Sequence, residues 1–228
     1  MDFPSVVIYI IPIIAVWTGF GFVWFTKPKN NDNIKLLLAF SGAFLLSLTF
    51  FELLPDVYNG HEPKTVALYI LGGILLQVFL EFFSKGAEHG HMHVHLQENK
   101  FPTLLFLSLC IHALVEGVPI HGNDSILYGI IIHKIPIAII LSIFLINSKM
   151  KLATTILFIG AFSLMTPLGS YISTSSWMND HGYLLTSLAI GVFFHISTII
   201  LFESAQGHAF NLRKLVVIIL GIGVAYLV

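Results

Sequence analysis

The chain reads as long apolar runs separated by short polar breaks. A helix needs ~20 predominantly apolar residues to cross the hydrocarbon core of a bilayer. Runs of that kind predict spans at 4–26, 34–55, 65–84, 102–121, 125–146, 151–172, 183–202 and 213–228, the last of them short. KPKNNDN (27–33) breaks the first pair, PDVYNGHEPK (55–64) the second and STSSWMNDHG (173–182) the sixth from the seventh. HGND (121–124) is brief enough to make spans four and five antiparallel neighbours. The expected fold class is therefore all-α, a polytopic membrane protein with eight transmembrane helices. It forms one domain over 1–228, and its longest polar stretch is the loop KGAEHGHMHVHLQENK (85–100).

Composition agrees with that reading. The 228 residues are 56% hydrophobic and only 10% charged, where a soluble domain carries about 25% charged residues. The N-terminal run lacks a basic leader and is too long for a signal peptide, so it is expected to stay as the first span. A short chain of this kind is expected in a prokaryotic inner membrane. Lys27, Lys29, Lys35, Lys85, Lys100, Lys149, Lys151, Arg213 and Lys214 fall in loops on one side and Lys64 on the other. Positive charge concentrates on the cytoplasmic side, which places both termini outside. No basic patch suggests nucleic acid. The single cysteine, Cys110, lies in an apolar run and reads as a packing residue.

Polar groups inside the spans carry the candidate chemistry. A charge at the bilayer centre costs ~2.5–3.5 kcal/mol on insertion scales, so such residues tend to mark pathways and sites. Here they are Glu52, His112, Glu116, His133, Lys134 and His195, with Glu81 and Glu203 near span ends. His112 and Glu116 lie one helical turn apart on one face. Counted from the outer ends of spans four and five, His112 and His133 both lie roughly 12–14 Å deep. Two imidazoles and a carboxylate at one depth suit Zn²⁺ or a similar ion. The plainer reading is hydrogen bonding between helices, and His195 is expected to serve that way. Gly117, Pro119 and Pro136 lie close to these groups and favour distorted helices that expose backbone to an ion.

In HALVEG (112–117) and HKIPI (133–137) the chain resembles the ZIP (ZRT/IRT-like) family of divalent metal transporters; FFELLPDVY (51–58) is similar to the end of that family's second span, with Glu52 where a histidine is common. The resemblance implies a ZIP-like eight-span bundle, both termini outside, a histidine-rich inner loop between spans three and four, and alternating access. It implies spans one, four, five and six moving against spans two, three, seven and eight. It also implies a metal site on His112, Glu116 and His133, whose fourth ligand would fall on Ile137. A second site would use Ala113, Lys134 and a position near Thr166, where the ligands are gone. Lys134 is expected to occupy the place of a second cation and to pair with Glu116, modulating the charge of the site.

The inner loop carries His89, His91, His93 and His95 at alternate positions. Imidazole is largely unprotonated at neutral pH, so the loop is expected to capture or sense metal, although such a tract is only a compositional signal. Asp56, His61 and Glu62 follow span two as ordinary loop polarity or as cation-gathering groups. The leading functional expectation is uptake of a divalent metal into the cytoplasm through a single site. Zn²⁺ is the first candidate as transported substrate, with Fe²⁺, Mn²⁺ and Cd²⁺ as others. Expected partners are the metal ions, the lipid bilayer and a second copy of the chain. The rival readings are an intramembrane zinc-dependent hydrolase, with zinc-bound water as nucleophile, and a non-transporting metal sensor. The absence of a His-Glu-x-x-His pair argues against the enzyme.

Overall fold

The computed structural model describes residues 5–28, 32–84, 86, 101–121, 124–148, 150–203 and 212–228. Among them every regular element is helical. The order is α1 Ser5–Thr26, α2 Asp32–Leu48, a π-helical turn Thr49–Leu53, α3 Leu54–Tyr58, α4 Pro63–Ser84, α5 Thr103–Gly117 with a 3₁₀ extension Val118–Ile120, α6 Asp124–Asn147, α7 Leu152–Ile172, α8 Met178–Glu203 and α9 Leu212–Leu227. Seven of the described segments are long and apolar enough to cross a membrane. The eighth expected span, α9, has 16 residues and is short for a core ~30 Å thick.

Two boundaries differ from expectation by about three residues or more. Span two runs on to Tyr58 instead of ending at 55. The π turn precedes Pro55, the second residue of α3, whose fixed φ suits a helical turn. Span seven begins at Met178 instead of 183. Asp180 lies in its first turn, where a carboxylate suits the positive end of the helix dipole, and His181 stacks on Trp177 with centroids 4.7 Å apart.

The bundle turns apolar residues outward as well as inward. On α4, Val66, Ile70, Gly73, Gln77, Leu80 and Ser84 form the buried face, while Leu68, Leu71, Leu75, Phe79 and Phe82 are exposed. Such an outer face suits hydrocarbon. Hydroxyls inside the bundle donate back to carbonyls of their own helix: Ser41 to Leu38, Ser47 to Ala43 and Thr49 to Leu45. Within hydrocarbon no water is at hand to replace such internal partners.

Small residues set the helix pairs, as expected where van der Waals contact drives association. A Cβ on Gly73 would lie 2.0 Å from the Leu188 carbonyl oxygen, and one on Gly191 2.0 Å from that of Ile70, so α4 and α8 touch backbone to backbone. Gly117 and Gly169 bring α5 against α7 in the same way. Gly19 seats α1 on Ala138 of α6. The expectation that spans four and five pack as neighbours needs correction. α5 packs mainly on α7 and α4, and α6 mainly on α1 and α2. A short loop fixes where two helices begin and end, but close packing follows where small residues let backbones approach. α5 and α6 instead face each other across long side chains.

Candidate metal-handling site

Four polar side chains sit deep in the bundle on α5 and α6. His112, Glu116, His133 and Lys134 are 3%, 1%, 1% and 2% exposed, which sets them apart from interfacial residues that reach water. α5 carries His112 and Glu116 one turn apart on its buried side, and α6 carries His133 and Lys134. The two helices are joined by Lys134 Nζ, which donates to Glu116 Oε2 at 2.8 Å. This is the pair anticipated from the sequence. The ammonium also lies over the Phe162 ring of α7, 5.0 Å from its centroid, a geometry in which the aromatic face attracts a cation. Glu116 Oε1 is buried and accepts no hydrogen bond among the described residues.

Backbone distortions flank the four residues. α5 gives way to the 3₁₀ turn immediately after Gly117, with Pro119 inside that turn. Pro136 lies within α6, two residues past Lys134. Each proline removes a backbone donor and frees a carbonyl one turn earlier.

The positions expected to have lost metal ligands hold the helices together instead. Thr166 Oγ1 donates to the Ala113 carbonyl oxygen at 3.0 Å, tying α7 to α5. Ile137 is 4% exposed and belongs to an apolar cluster with Val192, Ile196 and Ile200 of α8. Among the described residues no three His, Cys, Asp or Glu side chains converge closely enough to hold a metal ion. Glu116 is engaged with Lys134 in this conformation.

His195 and Glu81 find each other. His195 Nε2 lies 2.7 Å from Glu81 Oε2 and links α8 to α4. His195 thus bonds helix to helix, and Glu81 meets a partner within the bundle. The loop histidines His89, His91, His93 and His95 lie outside the described residues, as does the side chain of Glu203.

A cavity of about 870 Å³ opens at one end of the bundle. Glu52 and Asp56 contribute from the π turn and α3, His121 from the end of the 3₁₀ turn, and Thr186 from α8. Its wall includes Val118 and Pro119, two and three residues past Glu116. Glu52 is therefore exposed to this vestibule and not buried in the span, because the wider π turn rotates it out of the core. That rotation has no signature in the sequence. His61 stands outside the cavity lining and stacks on Tyr183 with centroids 3.8 Å apart. Glu62 caps α4, accepting the backbone N–H groups of Lys64 at 3.0 Å and Thr65 at 2.6 Å. Those bonds hold its carboxyl below its ordinary pKa.

No family model matches the chain. Two curated proteins are similar to it. Protein zntD of Dictyostelium discoideum is 29% identical over 153 residues, covering 56% of this chain and 22% of that protein. Zinc transporter ZIP1 of Danio rerio is 28% identical over 123 residues, covering 51% of this chain and 37% of that protein. The chain thus spans between about a fifth and somewhat over a third of the length of these relatives. The likeness agrees with the ZIP-family resemblance of the chain as a whole. With the apolar helices of spanning length it marks an integral membrane protein.

Proposed function

We propose that this chain carries divalent metal ions across a membrane, zinc first among them. The ion enters the cytoplasm through a single site made by His112, Glu116 and His133 in the gap between α5 and α6. The observation that carries the reading is a fully buried carboxylate, ammonium and two imidazoles inside a bundle of spanning helices. Such groups are costly in hydrocarbon and persist where they serve a path or a site. The name of the Danio rerio relative, a zinc transporter, supports the same reading and weighs against the hydrolase.

In this account the outer vestibule with Glu52, Asp56 and His121 receives the hydrated ion. The ion then passes Val118 and Pro119 to reach Glu116. His112 and His133 supply nitrogen, and Glu116 supplies oxygen and offsets charge. The basic residues of the loops support an orientation with both termini outside, in which the histidine-rich loop meets the ion on the cytoplasmic side. Binding requires α5 and α6 to bring their ligands closer than they stand here, which fits alternating access. The second reading, a sensor that binds metal without carrying it, is favoured by the engagement of Glu116 with Lys134.

Zinc entry into liposomes containing the purified chain, followed with an interior fluorescent indicator, tests the proposal. Entry by the parent and its loss in His112→Ala/Glu116→Ala is the expected result. Equal entry by both proteins would remove the site from the path. Binding without entry would turn the reading to the sensor.

A further inference from the structure

We propose, resting on the site just assigned, that Lys134 is a tethered cation that shares Glu116 with the travelling metal ion and keeps that ion weakly held. The argument begins with the two oxygens of one carboxylate. Oε2 accepts the Lys134 ammonium at 2.8 Å, whereas Oε1 is buried and accepts no hydrogen bond among the described residues. An acceptor left unmatched inside a protein is destabilising. A carboxylate with one oxygen held and the other open is ready to bridge two cations. One of them, the ammonium, is covalently part of the protein.

Charge gives the consequence. Glu116 and Lys134 together are neutral, and imidazole ligands bind metal in their neutral form. A divalent ion therefore enters a shell whose charge is already balanced, beside a fixed positive charge that is 2% exposed. Water and salt screen little at that burial, and repulsion between near neighbours is strong at low effective dielectric. Phe162 supplies a second support for the ammonium, 5.0 Å from its ring centroid, so Lys134 keeps a partner when the metal draws Glu116 away. The ion meets enough ligands to lose its water, yet too little negative charge to be trapped. Lys134 is thus a positioning and release residue: it touches the carboxylate and acts on the metal through charge.

The alternative is a static brace between α5 and α6, and the two roles separate experimentally. Lys134→Gln keeps a hydrogen-bond donor for Glu116 and removes the charge. Lys134→Met removes both, and Lys134→Arg keeps both. Each is made in full-length protein whose loop histidines are replaced by serine, so that zinc is counted at the spans alone. Zinc affinity is measured by competition with a fluorescent chelator, and zinc entry in liposomes is measured at a series of concentrations. Lys134→Gln is expected to bind zinc about tenfold more tightly or better, with a lower half-saturating concentration and a lower maximal rate. Lys134→Arg should resemble the parent. Lys134→Met repeats the test if the glutamine variant does not fold. Unchanged or weaker zinc affinity in a folded, charge-free variant would overturn the tethered-cation role and leave the site standing. Zinc bound by none of the proteins would overturn the site itself, and this inference with it.

Discussion

Two adjacent glycines on α4 give opposite expectations when each is changed to alanine. Gly72 has nothing within 4 Å of the position a Cβ would take, whereas at Gly73 that atom would lie 2.0 Å from the Leu188 carbonyl oxygen and 3.0 Å from the Gly191 Cα. Ordinary contact begins at 3.4 Å, so Gly73→Ala must move α4 and α8 apart by about 1.4 Å. Both offending groups are backbone and cannot rotate away. Overpacking of this kind costs about 1–3 kcal/mol. In a chain of this size each kcal/mol shifts Tm by roughly 2–4 °C, so Gly73→Ala should melt about 2–12 °C lower. Gly72→Ala gains helix propensity worth about 0.8–1.0 kcal/mol and should melt at or slightly above the parent. The assay is thermal unfolding in one detergent, followed by helical circular dichroism. Equal shifts for the two variants would refute the backbone contact between α4 and α8.

Breaking the buried pair should cost more than deleting it. Glu116→Gln leaves the Lys134 ammonium without its carboxylate and should lower stability by about 3–5 kcal/mol, while Glu116→Gln/Lys134→Met recovers most of that loss; a double-mutant cycle by chemical unfolding reads the difference. At the start of α4 the Glu62 carboxyl is held below its ordinary value of 4.5 by the backbone donors of Lys64 and Thr65. A depressed folded pKa means the capping contribution is fully present above 4.5 and fades as pH falls through the folded value. The stability gap between the parent and Glu62→Gln should therefore close in acid and stay constant near neutrality. The proposed donor set of two imidazoles and a single carboxylate is nitrogen-rich, which suits zinc better than manganese. Excess Mn²⁺ should then compete poorly with zinc entry in liposomes.

The spans were legible because their signal is long and redundant: about 20 apolar residues between polar breaks survive an error of several residues at either end. The buried chemistry was legible for a related reason, since a histidine, a glutamate or a lysine in such a run has few cheap explanations. Lys134 and Glu116 could even be paired in advance. Packing partners were not legible. HGND suggested that spans four and five lie side by side, yet Gly117 and Gly169 draw α5 to α7 instead. Glycines far apart in sequence choose such contacts, and one chain does not say which of them meet. Glu52 reads from the sequence only as a polar group inside span two, because nothing in TFFEL announces a π turn; one extra residue in that turn goes with a side chain that lines the vestibule. The partnership of Glu81 with His195 follows from the α4–α8 contact and was hidden with it.

The proposed metal site is single, built by α5 and α6 from two histidines and a carboxylate. X-ray absorption of zinc-loaded protein whose loop histidines are replaced by serine reads its ligands one by one. The account predicts one zinc per chain, with scattering from two imidazoles that falls to one in His133→Ala. A zinc shell unchanged by His133→Ala, or formed without imidazole, would contradict it.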